Sequence, residues 1–370
     1  MTRSLRLSSP EPQAAPPPEA QLLAAALRPT PGQRVLLRQC DAELAVALAA
    51  VGARVTFADT QLAALVAARD HARARGVQIT LLDTLSPLPD SAASYDLVAI
   101  HAPPVRAQTR RMLVEAADLL LPGGHLYLVG ANDAGIRPAI DDAQALFGGI
   151  SAPTLRARRR LVTARRPADL PPAPDWARAP GIAPGSWLAY TVDLADGPLA
   201  VRALPGVFAA DRLDAGTRLL LQHLAVQPGV RALDVGCGTG IIGAAIARRG
   251  AAHVTLVDSD LWAVAAAQET LAANTITNAT VRAHDARARI GERYNLVVIN
   301  PPFHRGVITD YALGRAIVAQ ASAALVPGGR LLLVANEFVR YDAQLTEQLA
   351  EVQVLAQDAG YRVLSGRARA

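Results

Sequence analysis

The residues of this chain that could do chemistry stand together in one motif, Asn300-Pro301-Pro302-Phe303, directly after an apolar run from Leu296 to Ile299. An amino group conjugated to a ring or a carbonyl is a poor nucleophile because its lone pair is delocalised. The Asn300 side-chain oxygen and the Pro301 carbonyl can accept its two N–H bonds, which favours a tetrahedral nitrogen. Two consecutive prolines hold these acceptors rigidly, and Phe303 offers a flat face to a planar target. The motif therefore predicts group transfer to a planar nitrogen; a plain strand-end turn is the alternative.

A glycine loop lies upstream of this motif and reads Leu233-Asp234-Val235-Gly236-Cys237-Gly238-Thr239-Gly240. Glycines let the backbone turn sharply after a strand and approach a ligand, and the helix that follows presents free amides. Nicotinamide enzymes use a related loop. An acid within the preceding strand, and no dehydrogenase-like constellation downstream, favour S-adenosylmethionine as the cofactor. The residues expected at the cofactor site are Asp234, Gly236, Cys237, Gly238 and Gly240, together with Asn300 from the motif.

Two further acids follow the next two strand-like runs. Asp258 ends the first of these runs, where a carboxylate can accept both ribose hydroxyls. It could also cap the helix that starts near Leu261. Asp285 follows the second run and is expected at the adenine amino group, with a solvated loop acid as the alternative. His304 and Arg305 follow the catalytic motif and are candidates for base or phosphate contacts; a turn cap is the alternative for His304.

An internal repeat of domain size sets the fold expectation. The run 95–100 resembles 294–299 at an offset of 199 residues (294 − 95), and the runs starting at Arg54 and Pro122 match those starting at His253 and Pro327 in the same order. Each copy alternates β-branched runs with helical stretches. We therefore expect an α/β fold of two tandem Rossmann-like domains, each with a parallel sheet and helices on both faces. A hairpin around Asp358-Ala359-Gly360 should close the second sheet in antiparallel fashion.

The first copy has lost the residues that could do chemistry. Where the second copy has Gly236, Gly238 and Gly240, we align Gln39, Asp41 and Glu43, while Cys40 aligns with Cys237. His101-Ala102-Pro103-Pro104 replaces the motif at Asn300, which removes both the amide acceptor and the aromatic residue. We expect this copy to fold like the second and not to catalyse.

Proline clusters suggest how the chain is divided. We expect a disordered tail over residues 1–20, a degenerate domain over 21–166, a proline-rich linker over 167–186 and a catalytic domain over 187–370. Trp187–Asp193 and Leu199–Ala203 should form a small strand pair that leads into the catalytic domain.

Composition narrows the class of protein. Of 370 residues, 51% are hydrophobic and 19% charged, which argues against wholesale disorder. No apolar run is long enough for a bilayer and no signal core precedes the prolines, so we expect a cytoplasmic protein without a membrane partner. Two cysteines exclude a disulfide framework and lack metal-ligand spacing, so no metal is expected. A pI near 9.7 permits an anionic partner such as nucleic acid.

These residues resemble those of ribosomal RNA guanine-N2 methyltransferases, the family of small subunit methyltransferase C and its large-subunit relative G, within the class I S-adenosylmethionine-dependent methyltransferases. The resemblance rests on the glycine loop, on Asn300-Pro301-Pro302-Phe303-His304 and on an entry motif, Pro205-Gly206-Val207-Phe208 with Leu213-Asp214-Ala215-Gly216. It implies that Asp214 and Gly216 lie at the methionine end of the cofactor, and that the product is N2-methylguanine in rRNA. It also implies a first domain that supports folding and RNA binding. The run 305–309 departs from the family's sequence, and this loop shapes substrate choice.

The partner implied is ribosomal RNA or an assembled ribosomal subunit, bound by a protein that we expect to be a monomer. The target guanine must be unpaired or flipped out of its helix. Phosphates could contact Arg156–Arg160 with Arg165 and Arg166, and a solvated edge hairpin is the alternative. Three other functions stay open: protein glutamine-N5 methylation, whose motif usually ends in tyrosine, DNA adenine-N6 methylation, and a non-catalytic ribosome-assembly module that binds RNA.

Overall fold

The computed structural model describes residues 16–82, 94–301 and 311–369. Its first half forms one sheet with flanking helices. In chain order the elements are α1 (Pro18–Ala26), β1 (Arg34–Arg38), α2 (Ala42–Ala50), β2 (Arg54–Ala58), α3 (Leu62–Arg75), β3 (Thr80–Leu82), β4 (Tyr95–His101), α4 (Arg106–Leu119), β5 (Leu120–Ala131), α5 (Ile136–Phe147), β6 (Thr154–Arg156) and β7 (Arg159–Arg165).

The second half repeats this plan after a strand pair. Its elements are β8 (Leu188–Leu194), β9 (Gly197–Ala203), α6 (Ala215–Gln222), β10 (Arg231–Val235), α7 (Ile241–Arg248), β11 (His253–Asp258), α8 (Leu261–Ala273), β12 (Ala279–Ala283), β13 (Tyr294–Ile299), α9 (Tyr311–Ala323), β14 (Leu325–Asn336), α10 (Asp342–Gln348), β15 (Ala350–Asp358) and β16 (Tyr361–Arg367).

The two large sheets share one strand order. Seven strands run β3-β2-β1-β4-β5-β7-β6 in the first sheet and β12-β11-β10-β13-β14-β16-β15 in the second. In the second sheet the first five are parallel, β16 is antiparallel to β14, and β15 and β16 form the closing hairpin. The expected fold class, two tandem Rossmann-like units with a terminal antiparallel hairpin, is confirmed. The order reverses between β10 and β13, and ligands of such sheets bind beside this reversal, at the carboxyl ends of the strands.

Burial explains why the central strands read as continuous apolar runs. Four of the five residues of β10 and of β1 are buried, as expected for parallel strands covered by helices on both faces. The helix expected over residues 312–325 ends earlier, at Ala323, because Leu325 already pairs with Tyr294 as the first residue of β14. The expected strand pair before the second sheet is present as β8 and β9.

The segments outside the sheets differ from expectation in two places. Residues 18–20 were expected in a disordered tail, but Pro18 begins α1, and Glu19 and Ala20 are buried. The rest of that tail, residues 1–15, lies outside the described residues. The proline-rich segment from 167 includes one short 3-10 helix, Asp175–Arg178, whose Trp176 packs on the core of the first half. Among the described helices, none has the length and apolar character needed to cross a bilayer.

The two halves share a core. Trp262, Ala263 and Ala266 of α8 are buried within the hydrophobic cluster of the first half. The Arg111 guanidinium of α4 lies 5.7 Å from the centre of the Trp262 ring, as in a cation–π contact. Helix α8, which follows β11 in the second half, is therefore packed on the first half. The loop that joins β11 to α8 is held by both halves.

Candidate active site

A cavity of about 420 Å³ opens at the carboxyl ends of β10, β11 and β13. A smaller space of about 30 Å³ adjoins it, and the two share Phe208, Gly236 and Asn300. The larger cavity is lined by Gln61, Ala63, Phe208, Val235, Gly236, Asp258, Ser259, Asp285, Ala286, Arg287, Asn300, Pro301, Leu313 and Ile317. The glycine loop, two of the predicted acids and the start of the catalytic motif are thus brought to one place.

The glycine loop forms a cradle that side chains would fill. Gly236 and Gly238 have left-handed backbones, with φ of +71° and +52°. A Cβ added at Gly236 would meet no atom within 4 Å, and one at Gly238 would meet only the Phe208 carbonyl, at 3.7 Å. Both glycines therefore border open space, and side chains there would project into it. Cys237 is buried and lines the smaller space, where burial raises the pKa of its thiol.

Two loop residues expected at the cofactor line neither cavity. Asp234 is fully buried beneath the loop, where Oδ2 accepts a hydrogen bond from Gly243 N at 2.8 Å. Among the described residues, no hydrogen-bond partner reaches Asp234 Oδ1, and burial raises the pKa of Asp234 from 3.8 to about 7. Gly240 precedes α7, and a Cβ there would lie 2.9 Å from the Ala267 Cβ of α8. These two residues hold α7 against β10 and α8 and position the glycines that border the cavity.

Asp258 ends β11 with its carboxylate held by two backbone amides. Oδ2 accepts from Gly238 N at 3.0 Å and Oδ1 accepts from Asp260 N at 2.9 Å. Burial raises the pKa of Asp258, while these hydrogen bonds lower it. The helix cap that the sequence suggested for Asp258 is instead Asp260, which accepts from Trp262 N at 2.8 Å. Asp258 is thus left at the wall of the cavity, where the sequence predicted a contact with the ribose hydroxyls.

Asp285 lines the same cavity and is ion-paired there. Arg287 Nε lies 2.9 Å from its Oδ1, and this bond lowers the pKa of Asp285. The acid is charged at neutral pH, and its partner also lines the cavity. The adenine contact stays a prediction, and the loop position and 28% side-chain exposure of Asp285 also fit the alternative, a solvated loop acid.

Asn300 is held by the helix that carries the entry motif. Its Nδ2 donates to Thr217 Oγ1 at 3.0 Å and approaches Asp214 Oδ2 at 3.4 Å. Asp214 caps α6 by accepting from Thr217 N at 2.9 Å. Because the amide nitrogen faces α6, the carboxamide oxygen is the atom that can accept a bond from a substrate. Gly216 permits this packing, since a Cβ there would lie 2.8 Å from the Tyr361 ring.

The structure describes only one further residue of the catalytic motif, Pro301. Pro301 lines the larger cavity next to Asn300. Pro302, Phe303, His304 and Arg305 lie outside the described residues. Phe208 of the entry motif lines both spaces, and its side chain is 61% exposed. A flat apolar face is therefore present at the mouth of the cavity.

Sequence reasoning missed several residues at this site, among them Thr217, Gln61 and Ala63. Thr217 was not singled out, although it stands three residues after Asp214, the spacing of a residue whose amide bonds a helix cap. Gln61 and Ala63 come from the first half, and no motif marked them. Within the described residues, no cluster of His, Cys, Asp and Glu could hold a metal ion.

The corresponding region of the first half keeps a cavity of about 210 Å³, which is lined by side chains that include Glu19, Gln39 and His101. Gln39 keeps the left-handed backbone of a loop glycine, with φ of +56°, and its Nε2 donates to Thr60 Oγ1 at 3.0 Å. Glu19 Oε1 accepts from Arg159 Nε at 2.7 Å. By strand register, Arg159 pairs with the last residue of β5 as Tyr361 pairs with the last residue of β14. An ion pair thus stands where the second half has Gly216 against Tyr361.

The alignment of the two loops requires a correction. Asp41 caps α2, so it corresponds to Gly240 before α7 and not to Gly238; Glu43 lies inside α2. Three residues separate β1 from α2, but five separate β10 from α7. The first loop is therefore two residues shorter, and it lacks the turn that Gly238 makes.

The two halves also match one family of known proteins. The methyltransferase small domain family matches residues 19–152 and again residues 198–365. Ribosomal RNA small subunit methyltransferase C of Pseudomonas aeruginosa (strain LESB58) is 36% identical over 286 residues, which cover 77% of this chain and 82% of that protein. The protein of the same name from Pseudomonas entomophila (strain L48) is 38% identical over 273 residues, covering 73% and 78%.

A solved structure shares the whole architecture. The 16S rRNA N2 G1207 methyltransferase of T. thermophilus, in complex with AdoMet and guanosine, superposes with a TM-score of 0.79 at 30% identity. The match covers 95% of this chain and 92% of that one. The similarity therefore includes both halves and not the second alone.

Proposed function

Because the chain belongs to the methyltransferase small domain family and, within it, to the ribosomal RNA small subunit methyltransferase C family, we propose that it transfers a methyl group from S-adenosylmethionine to the N2 amino group of a guanine in ribosomal RNA. The observation that carries the proposal is the anchored carboxamide of Asn300 at the mouth of the cavity.

The residues of the cavity fit S-adenosylmethionine. A volume of about 420 Å³ lies within the range of small-ligand pockets. Asp258 would hold the ribose hydroxyls and Asp285 the adenine amino group, while the bare backbone at Gly236 and Gly238 allows close approach. Asp214 and Gly216, on the side of the smaller space, would adjoin the methionine end. When bound, S-adenosylmethionine supplies an electrophilic methyl group on a sulfonium.

The chain's own residues prepare the nucleophile. The guanine N2 lone pair is delocalised into the ring, so its nitrogen must be drawn toward tetrahedral geometry. Asn300 Oδ1 and the Pro301 carbonyl accept the two N–H bonds, and fixed acceptors of this kind favour the transition state over the planar ground state. Thr217 holds the Asn300 carboxamide, and the Asp214 carboxylate, which can only accept, keeps the amide nitrogen toward α6 and leaves the oxygen for the substrate. The proton leaves to solvent after transfer, so no strong base is needed.

The substrate requirement follows from the depth of the site. A guanine within a helix cannot present N2 to a cavity, so the RNA must offer an unpaired or flipped base. On the β6–β7 hairpin, Arg156 and Arg158 are exposed and available to phosphates, whereas Arg159 and Arg160 bond Glu19 and Asn132. We also propose that the protein is a cytoplasmic monomer and that it acts on naked rRNA or on an assembled subunit. A linker over residues 167–186 would divide its two domains.

The test is transfer of a tritiated methyl group to ribosomal substrates. Purified chain would be incubated with labelled S-adenosylmethionine and with deproteinised rRNA or assembled subunits from a strain that lacks the enzyme, followed by nucleoside analysis. We expect a single N2-methylguanosine peak from one subunit's RNA, absent with Asn300→Ala. Label on protein glutamine instead would contradict the proposal in favour of the glutamine-N5 alternative, and no label anywhere would favour a non-catalytic module.

A further inference from the structure

The degenerate half lines the cavity of the catalytic half with two residues, Gln61 and Ala63. We propose that Gln61 is a binding residue for the adenosine part of S-adenosylmethionine, so that the cofactor site is completed by the half that has lost its own. This assignment rests on the proposed function and extends it to a residue outside the catalytic sheet.

Backbone hydrogen bonds fix Gln61 at the cavity wall. Gln61 and Asp260 form an isolated antiparallel bridge between the two halves. On either side of it, Leu62 N donates to the Ser259 carbonyl at 2.9 Å and Leu261 N donates to the Thr60 carbonyl at 2.7 Å. The bonds are reciprocal, and they join the same loop in each half, the one that follows the second strand of the sheet. Gln61 is therefore a built part of the wall and not the end of a loose loop.

The same loop geometry occurs on both sides of the bridge. Gln61 N donates to Asp59 Oδ1 at 2.8 Å, as Asp260 N donates to Asp258 Oδ1 at 2.9 Å. The two turns thus brace each other through Gln61 and Asp260. Because Asp258 is the proposed ribose ligand, the first half also positions that carboxylate.

The side chain of Gln61 has the chemistry for a polar ligand. It is half-buried, and no described residue hydrogen-bonds its carboxamide. A carboxamide offers two donors and one acceptor, which suit a ribose hydroxyl or the polar edge of adenine. Its neighbours on the wall, Asp258, Ser259 and Asp285, belong to the end of the cavity proposed for ribose and adenine. The geometry thus points to the adenosine part and not to methionine.

Ala63 allows a second, independent test of the same wall of the cavity. It lies two residues further along the chain, in the first turn of α3, and is exposed. Its small side chain leaves the cavity open. A large side chain there would occupy the space from the first half, with every residue of the second half's motifs unchanged.

The experiment measures ligand affinity of the full chain by calorimetry, with S-adenosylmethionine and with 5′-methylthioadenosine, which keeps adenosine and lacks the amino acid. Gln61→Ala and the shape-conserving Gln61→Met should weaken both ligands by about 3- to 10-fold, the loss of one neutral hydrogen bond. Ala63→Trp should abolish binding of both. Gln78→Ala, an exposed glutamine of the same half, is the matched control and should change neither affinity. The thermal midpoint of each variant shows that it folds.

The outcomes separate this assignment from the proposed function. Wild-type affinity in both Gln61 variants would overturn the assignment and leave the methyltransferase proposal intact. Weakening of S-adenosylmethionine alone, with 5′-methylthioadenosine unchanged, would also overturn it, because the contact would then lie at the methionine end. A wild-type chain that binds neither ligand would contradict the proposed function itself.

Discussion

Asn300 and Thr217 are joined by a hydrogen bond of 3.0 Å from Nδ2 to Oγ1, across 83 residues of chain. Asn300 follows β13 in the centre of the sheet, and Thr217 lies in the first turn of α6, whose cap is Asp214. The bond therefore ties the catalytic motif to the entry motif. Asp214 Oδ2, an oxygen that can only accept, lies 3.4 Å from the same Nδ2 and so leaves the carboxamide oxygen for the substrate.

Loss of this bond should slow methyl transfer without weakening cofactor binding. Thr217→Val keeps the shape of the side chain but removes Oγ1, so the Asn300 carboxamide is held only by its longer contact with Asp214 Oδ2, at 3.4 Å, and is less well positioned. We expect kcat to fall about 10-fold, the equivalent of one hydrogen bond, with the Kd for S-adenosylmethionine within about twofold. Single-turnover kinetics and calorimetry measure the two quantities. Thr191→Val, at an exposed position of β8, is the control; an equal fall in both variants would contradict the positioning role.

Truncation of Asn300 itself should have a larger effect of the same kind. Asn300→Ala removes one of the two acceptors that prepare the nucleophile, and loss of a preorganised group costs about 10²- to 10³-fold in kcat. Cofactor affinity should stay near that of the wild type, because the ribose and adenine contacts are untouched. A parallel loss of affinity and turnover would mean that Asn300 mainly builds the cofactor pocket.

A side chain in the glycine loop should prevent cofactor binding. Gly238 borders open space with φ of +52° and donates its amide to Asp258. Gly238→Asp would place a second carboxylate beside Asp258 and fill the cradle, so we expect no measurable binding of S-adenosylmethionine. Gly250→Asp is the control for backbone strain, since Gly250 also has a positive φ, +92°, and nothing lies within 4 Å of an added Cβ. Equal binding in the two variants would mean that the bare backbone at Gly238 is not needed for the cofactor.

Much of this architecture could be predicted from sequence because it depends on local patterns. The parallel strands are short apolar runs, and the repeat at a nearly constant offset, 199 residues from Tyr95 to Tyr294 and 205 from Pro122 to Pro327, carried the strands proposed for the second half over to the first. Gly236 and Gly238 were identifiable because few other residues adopt their backbone, and Asp258 because a strand ends there. Each of these signals lies within a few residues of the feature it predicts.

The contacts that escaped prediction join distant segments. Thr217 reaches Asn300 through the fold, and Gln61 reaches the cavity through a bridge to Asp260; neither pairing leaves a pattern in one sequence. The loop alignment failed for a different reason. Matching Cys40 to Cys237 forced an ungapped comparison, whereas the helix caps at Asp41 and Gly240 show a deletion of two residues.

The buried acids should give this protein an unusual pH dependence of stability. Burial raises the pKa of Asp234 from 3.8 to about 7, so the folded chain keeps a proton there that the unfolded chain releases. The free energy of unfolding should therefore fall as pH rises from about 4 to about 7. Asp59, with its pKa raised to about 6, and Asp260, raised to about 7, act in the same direction.

The contribution of Asp234 can be isolated by substitution. Asp234→Asn keeps an acceptor for Gly243 N and stays neutral, so the variant should lose less stability than the wild type between about pH 5 and about pH 7.5. Urea unfolding at both pH values measures how much the free energy of unfolding changes in each protein. The contributions of the other titrating groups cancel when the variant is compared with the wild type. Identical slopes for the two proteins would mean that Asp234 is ionised in the folded chain throughout this range.

The junction between the halves should depend on one buried acid, Glu115 of α4. Glu115 pairs with Arg38 of β1 and accepts from Arg111 Nε at 3.1 Å, and all three side chains are at most 10% exposed. Arg111 in turn donates to the carbonyls of Gly181 and Ser186, at 2.9 Å and 3.0 Å, in addition to its contact with Trp262. The carboxylate thus balances two buried cations, of which Arg111 reaches the linker and the second half.

Removal of that carboxylate should leave both cations uncompensated. Breaking a buried ion pair by deleting one partner costs about 3–5 kcal/mol, so Glu115→Ala should lower the free energy of unfolding by this amount. Glu269→Ala, at an exposed position of α8, is the control and should change it by less than about 0.5 kcal/mol. Urea unfolding followed by tryptophan fluorescence is suited to the test because Trp262 lies at the junction. A loss below about 1 kcal/mol would show that water or rearranged side chains neutralise Arg38 and Arg111, and that packing around Trp262 holds the halves together without the acid.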